Sequence, residues 1–104
     1  MIKVILVDDE VLALDYLESL IDWESEGFQV VGRATGGEKA WALYEKYKPG
    51  IVISDIRMIG MDGLELAGKI KEKNPAAIVV LLSAYKDFEY AQKGIQIGRA
   101  SCRE

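Results

Sequence analysis

Ile51-Val52-Ile53-Ser54-Asp55-Ile56-Arg57-Met58 is an apolar run that closes on one acid. Lys48-Pro49-Gly50 precedes it and Gly60 follows, so it reads as a short strand buried on both faces. A carboxylate at the carboxyl end of such a strand stands where open α/β sheets place their chemistry. A solitary Asp there would do no more than cap the next loop. Asp55 has company, because Ile2 to Val7 is a second apolar run, and it ends in Asp8, Asp9 and Glu10.

Outward from these two runs, strands and helices alternate. After the first strand, Val11 to Ile21 has helical spacing, with Leu14, Leu17 and Ile21 on one face and acids at its start, where the helix dipole favours them. Trp23 to Gly27 is a connection. Phe28-Gln29-Val30-Val31-Gly32 is a shorter, less uniformly apolar strand, suited to a sheet edge. Thr35-Gly36-Gly37-Glu38 has capping-box spacing and opens a helix to about Tyr47, whose inner stripe is Ala40, Leu43, Tyr44 and Tyr47. Beyond the central strand, Asp62 and Glu65 cap a third helix that buries Leu66, Ala67 and Ile70 and stops at Asn74-Pro75. Ile78 to Leu82 is a fourth strand, followed by Ser83-Ala84. Asp87 opens a fourth helix with Phe88, Ala91 and Ile95 inward and Gly98 as its stop.

A β-α-β-α-β-α-β-α order implies a parallel sheet with helices on both faces. Right-handed crossovers bring the strand ends to one edge. Asp8, Asp9, Asp55 and Ser83 all lie at carboxyl ends of predicted strands, so they converge there.

Composition narrows the chemistry. The chain has 104 residues, enough for one domain, with 50% hydrophobic and 29% charged residues, as in soluble globular proteins. A net charge of -4 without any basic run speaks against direct nucleic-acid binding by this segment. No stretch is apolar for long enough to span a bilayer, and no signal-peptide pattern opens the chain. The single cysteine, Cys102, forbids an internal disulfide, and the expected location is the cytoplasm. Without a histidine there is no imidazole base and no partner to activate Cys102. Carboxylates, hydroxyls and backbone remain.

Three gathered carboxylates repel, by roughly 4 kcal/mol for each pair at about 4 Å and an effective dielectric of 20. A divalent hard cation relieves this, and an oxygen-only donor set with open positions favours magnesium. The competing reading is that the acids face solvent and cap the first helix.

Leu6-Val7-Asp8-Asp9-Glu10, the run Asp55-Ile56-Arg57-Met58-Ile59-Gly60-Met61-Asp62-Gly63, and Leu82-Ser83-Ala84 together resemble a bacterial two-component response-regulator receiver domain. Trp23 through Phe28, with Leu82-Ser83-Ala84-Tyr85-Lys86-Asp87-Phe88-Glu89-Tyr90-Ala91, looks closest to receivers fused to AraC-type transcription factors. The resemblance implies a flavodoxin-like, doubly wound parallel sheet in strand order 2-1-3-4. It implies a signalling module rather than an enzyme. Asp55 would accept a phosphoryl group from a sensor histidine kinase. Asp9, Asp55 and the backbone carbonyl of Arg57 would bind magnesium, Asp8 would act through water, and Ser83 would supply the switch hydroxyl.

Two departures from the family pattern stand out. Ile59 occupies a position where the family usually has proline, which should loosen the loop and free one N–H. After Gly98 the chain reads Arg99-Ala100-Ser101-Cys102-Arg103-Glu104, where the family continues into a fifth strand with an aromatic and Lys-Pro, then a fifth helix. Lys86 and Lys93 do not replace that lysine on spacing grounds. The expectation is a receiver over residues 1–98, cut before its fifth strand, with a non-native-looking tail over 99–104. Such a chain should hold a phosphoryl group poorly and self-associate, as a homodimer or an exchanged dimer through the exposed strand four. Three alternatives stay open: a phosphorylation-incompetent interaction module, a magnesium-dependent phosphohydrolase, and a flavin carrier. The phosphohydrolase lacks a second acid two residues after Asp55. The flavin carrier would need a phosphate-cradling first loop, where this chain has Asp8-Asp9-Glu10.

Overall fold

A computed structural model of the chain describes residues 1–82. They form β1 (Ile2–Val7), α1 (Val11–Leu20), β2 (Phe28–Ala34), α2 (Gly37–Tyr47), β3 (Ile51–Asp55), α3 (Gly63–Lys73) and β4 (Ile78–Leu82). The four strands make one all-parallel sheet in the order β2-β1-β3-β4, the order expected from the sequence. The fourth helix from Asp87, its stop at Gly98, and the 99–104 segment lie outside the described residues. None of the helices described is long and apolar enough to cross a membrane.

β1 is one of two inner strands, paired on both sides, and its Val4, Ile5, Leu6 and Val7 are fully buried. Its alternate side chains serve two cores. Ile5 and Val7 join Val52 and Val79 against Ala40 and Tyr44 of α2 and Leu66, Ala67 and Ile70 of α3. Val4 and Leu6 pack on the other face against Leu14 of α1. A sheet covered on both faces by crossover helices is the doubly wound class.

Several details differ from the sequence reading. β3 is fully buried at Val52 and Ser54 only, while Ile51 and Ile53 are half-buried beside α1. α1 ends at Leu20, and Ile21 adopts extended backbone and is exposed, so it leaves the apolar stripe. The acids precede α1 rather than occupying its first turn, and Glu10 is its N-cap without a side-chain hydrogen bond. β2 continues two residues past Gly32, because an irregularity opposite Val4 and Ile5 absorbs Val31 and lets pairing resume as far as Val7–Ala34. As expected, β2 is an outer strand.

The two capping boxes read from the sequence have opposite outcomes. Asp62 accepts a hydrogen bond from the Glu65 N–H at 2.9 Å, and the Glu65 carboxylate accepts one from the Asp62 N–H at 3.2 Å. Thr35 caps nothing. α2 starts one residue later than the spacing requires, with Gly36 as N-cap and no side-chain cap bond. Gly37 sets that start, because its Cα lies against the Met61 backbone with no room for a side chain. The Thr35 hydroxyl instead accepts a long bond from Lys39 Nζ, at 3.4 Å.

Asp62→Ala should therefore lower unfolding stability by about 1 kcal/mol. Thr35→Ala should stay within about 0.5 kcal/mol of the parent, as an ordinary surface change does. Urea denaturation of the two variants side by side checks the assignment, and equal losses would contradict it.

Candidate functional site

The carboxyl ends of β1 and β3 carry the acids. Asp8 follows β1 directly, and its N–H donates to the Ala34 carbonyl at 3.0 Å, tying the ends of β1 and β2 together. Its carboxylate accepts the Glu10 N–H at 2.9 Å, which folds the chain back toward α1. Asp55 is the last residue of β3 and pairs with Leu82 of β4. The next residue, Ile56, donates to the Leu82 carbonyl at 3.0 Å and accepts from the Gly63 N–H at 2.9 Å. The start of α3 thus sits directly on the Asp55–Ile56 peptide. Gly63 permits this, since any side chain there would run into the Asp55 carbonyl oxygen and the Ile56 Cα.

Asp8, Asp9 and Asp55 each offer a carboxylate oxygen, and the three oxygens lie within 4.8 Å of one another. Asp8 and Asp55 are half-buried and Asp9 is exposed. Burial pushes the Asp55 carboxyl up to about 6, with the Asp8 charge adding to it and Asp9 contributing less. The N–H groups of Ile56 and Arg57 hydrogen-bond the carboxylate and oppose the rise. Asp8 is raised too, by burial first and by its acidic neighbours, against the pull of the Glu10 N–H. Crowded, partly desolvated carboxylates with hard oxygen donors fit a small divalent cation, which would remove the repulsion that their approach creates.

Residues 4–102 match the family described as the response regulator receiver domain. The chain belongs to the response-regulator receiver family. Receiver domains are regulatory modules that bind magnesium at an acidic pocket, in keeping with the aspartate cluster here. The chain is 40% identical over 98 residues to YesN of Bacillus subtilis, described as an uncharacterized transcriptional regulatory protein, and covers 27% of it. That stretch is 94% of this chain. The receiver domain of AraT, a response regulator from Geobacillus stearothermophilus, superposes with a TM-score of 0.86 at 32% identity, covering 92% of this chain and 74% of AraT's. A two-component transcriptional regulator AraC from Clostridium phytofermentans gives 0.78 at 34% identity, over 86% and 73% of the two chains. The chain thus spans about a quarter of the length of YesN.

Of the receiver residues expected from the sequence, Asp8, Asp9 and Asp55 are brought together. Arg57 is exposed, two residues beyond Asp55, with its N–H on the Asp55 carboxylate. Ser83 lies outside the described residues, one residue past Leu82. Ile59 is 90% exposed, and the following Gly60 has a φ of 81°. Two residues near the site were not singled out from sequence. Gly63 carries a legible signal, a glycine straight after a capping Asp, where a strand end and a helix start must touch. Ser54 carries a weaker one, a single hydroxyl inside an otherwise apolar strand.

The raised Asp55 carboxyl has a signed consequence. The folded chain keeps this proton up to about pH 6, whereas the unfolded chain loses it near 3.8. Without metal, the group's contribution to stability falls as pH rises through that window and is flat above it. Magnesium binding must expel the proton, so its affinity should fall by up to about tenfold per pH unit below about pH 6. Calorimetric titration between mildly acidic and neutral pH measures this, and a pH-independent affinity would remove Asp55 from the cation site. Asp55→Asn should raise the melting temperature of the metal-free protein at neutral pH and abolish its response to magnesium.

Proposed function

We propose that this receiver takes one phosphoryl group on Asp55 from the phosphohistidine of a sensor kinase in the cytoplasm, and so switches a transcriptional output. The observation that carries the reading is the acid trio at the sheet edge, with Asp55 half-buried at the end of β3 and its carboxyl pushed to about 6. The transcriptional output is supported by the regulatory relatives.

In this reading the carboxylates of Asp9 and Asp55 and the backbone carbonyl of Arg57 hold magnesium, with Asp8 acting through water. The cation supplies charge neutralisation between the acids and the incoming phosphoryl oxygens. An Asp55 carboxylate oxygen attacks phosphorus in line, forming the new O–P bond of an acyl phosphate. The P–N bond breaks, its electron pair returns to the donor imidazole, and that ring takes up a proton. Asp55 must enter the step ionised, which a carboxyl at about 6 is at neutral pH. No proton has to be removed from the nucleophile, so the lack of histidine in this chain is no obstacle. The Ser83 hydroxyl donates to a phosphoryl oxygen and registers the switch.

Intact mass after incubation with acetyl phosphate tests the assignment. The expected result is a magnesium-dependent gain of one phosphoryl group that is absent from Asp55→Asn. A gain that persists in Asp55→Asn would place the acceptor elsewhere, and no gain in the parent chain would reject the reading.

A further inference from the structure

Ser54 is the one fully buried polar side chain among the described residues. It faces the α2–α3 core beside Val52, a position that an apolar residue would fill without leaving a hydroxyl to satisfy. Its Oγ donates to the carbonyl oxygen of Asp55 at 2.8 Å. The pairing of β1 with β3 ends at Val7–Ser54, so Asp55 has no further partner residue on β1. On the other side, Ile56 is tied to Leu82 and to Gly63. The Asp55–Ile56 peptide is therefore held by the Ser54 hydroxyl at one carbonyl, by β4 at its N–H, and by the α3 start packed on it through Gly63.

We propose that Ser54 is a positioning residue: its buried hydroxyl, by fixing the Asp55 carbonyl, fixes the backbone from which the acceptor carboxylate projects into the acid trio. The inference rests on Asp55 being the phosphoryl acceptor. Phosphoryl transfer depends on in-line placement of the attacking oxygen, so a small rotation of this peptide costs rate. A merely structural serine would instead cost stability and leave the acceptor chemistry of the folded fraction unchanged.

Ser54→Thr and Ser54→Val separate the two roles, since they have nearly the same shape and differ in the hydroxyl. Phosphorylation by acetyl phosphate at saturating magnesium is followed by intact mass on the 104-residue chain, with the folded fraction measured by tryptophan fluorescence. The expected result is a rate constant roughly three- to tenfold lower in Ser54→Val than in Ser54→Thr, the size of one net hydrogen bond. Threonine should recover most of the parent rate. Ser54→Ala against the parent replaces the pair if the added methyl groups prevent folding, with the same loss expected. Equal rate constants per folded molecule, in either comparison, overturn the proposal while leaving Asp55 as acceptor. A parent chain that gains no phosphoryl group removes the underlying reading, and the proposal with it.

Discussion

Mutual repulsion among Asp8, Asp9 and Asp55 is the constraint on which the rest of this architecture turns. Their oxygens lie within 4.8 Å of one another, and without a cation like charges at that spacing either take up protons or push their backbones apart. Here the backbones are not free to move. Asp8 and Asp9 follow a strand whose last four residues are fully buried and which is paired on both sides. Asp55 ends a strand paired on both sides as well. Burial raises the proton affinity of Asp55 and Asp8 first, and repulsion that cannot relax by motion adds to it.

The same constraint explains why the connections at that edge are so tightly made. The Asp8 N–H is bonded to the end of β2, and the Ile56 N–H to the end of β4, so the strand ends are tied in two pairs, which the Val7–Ser54 pairing of β1 with β3 joins. The start of α3 is pinned by a complete capping box and by a glycine that admits close contact with the Asp55–Ile56 peptide. Gly37 does the equivalent for α2 against Met61. The contacts of Asp8 and of the Asp55–Ile56 peptide limit how far those two carboxylates can retreat.

Much of this was legible from residue order. The three apolar runs that became β1, β3 and β4 were short, bounded and strongly apolar, so their placement was legible although full burial is confined to Val52 and Ser54 in β3 and to Val79 in β4, and the acids that follow β1 and end β3 had only one edge on which to meet. Asp62-x-x-Glu65 was legible because the helix start is settled locally, by side chains reaching their own backbone. Thr35-x-x-Glu38 has the same spacing and failed, because the start of α2 is decided by Gly37 packing on Met61, a contact between segments far apart in sequence. The length of β2 was missed for a related reason, since one residue opposite Val4 and Ile5 is absorbed by an irregularity that alternation cannot reveal. Ser54 was not singled out within its apolar run. Its partner is the carbonyl of the next residue, and only the burial of that face gives the hydroxyl its weight.

A carboxyl displaced to about 6 is also well placed for the proposed chemistry. A carboxylate of ordinary pKa is fully ionised at neutral pH but weakly basic, and hence a poor nucleophile. One raised far above neutrality would be a better nucleophile that is almost always protonated. The value here lies between these limits, so Asp55 remains mostly ionised while its oxygens are more basic than those of a solvated aspartate. The neighbours that add to the effect of burial on it, Asp8 and Asp9, are the groups that would draw a cation to the same edge. Burying and crowding the acids thus raises the proton affinity of Asp55 in the metal-free chain and attracts the counter-charge that the proposed phosphoryl transfer needs.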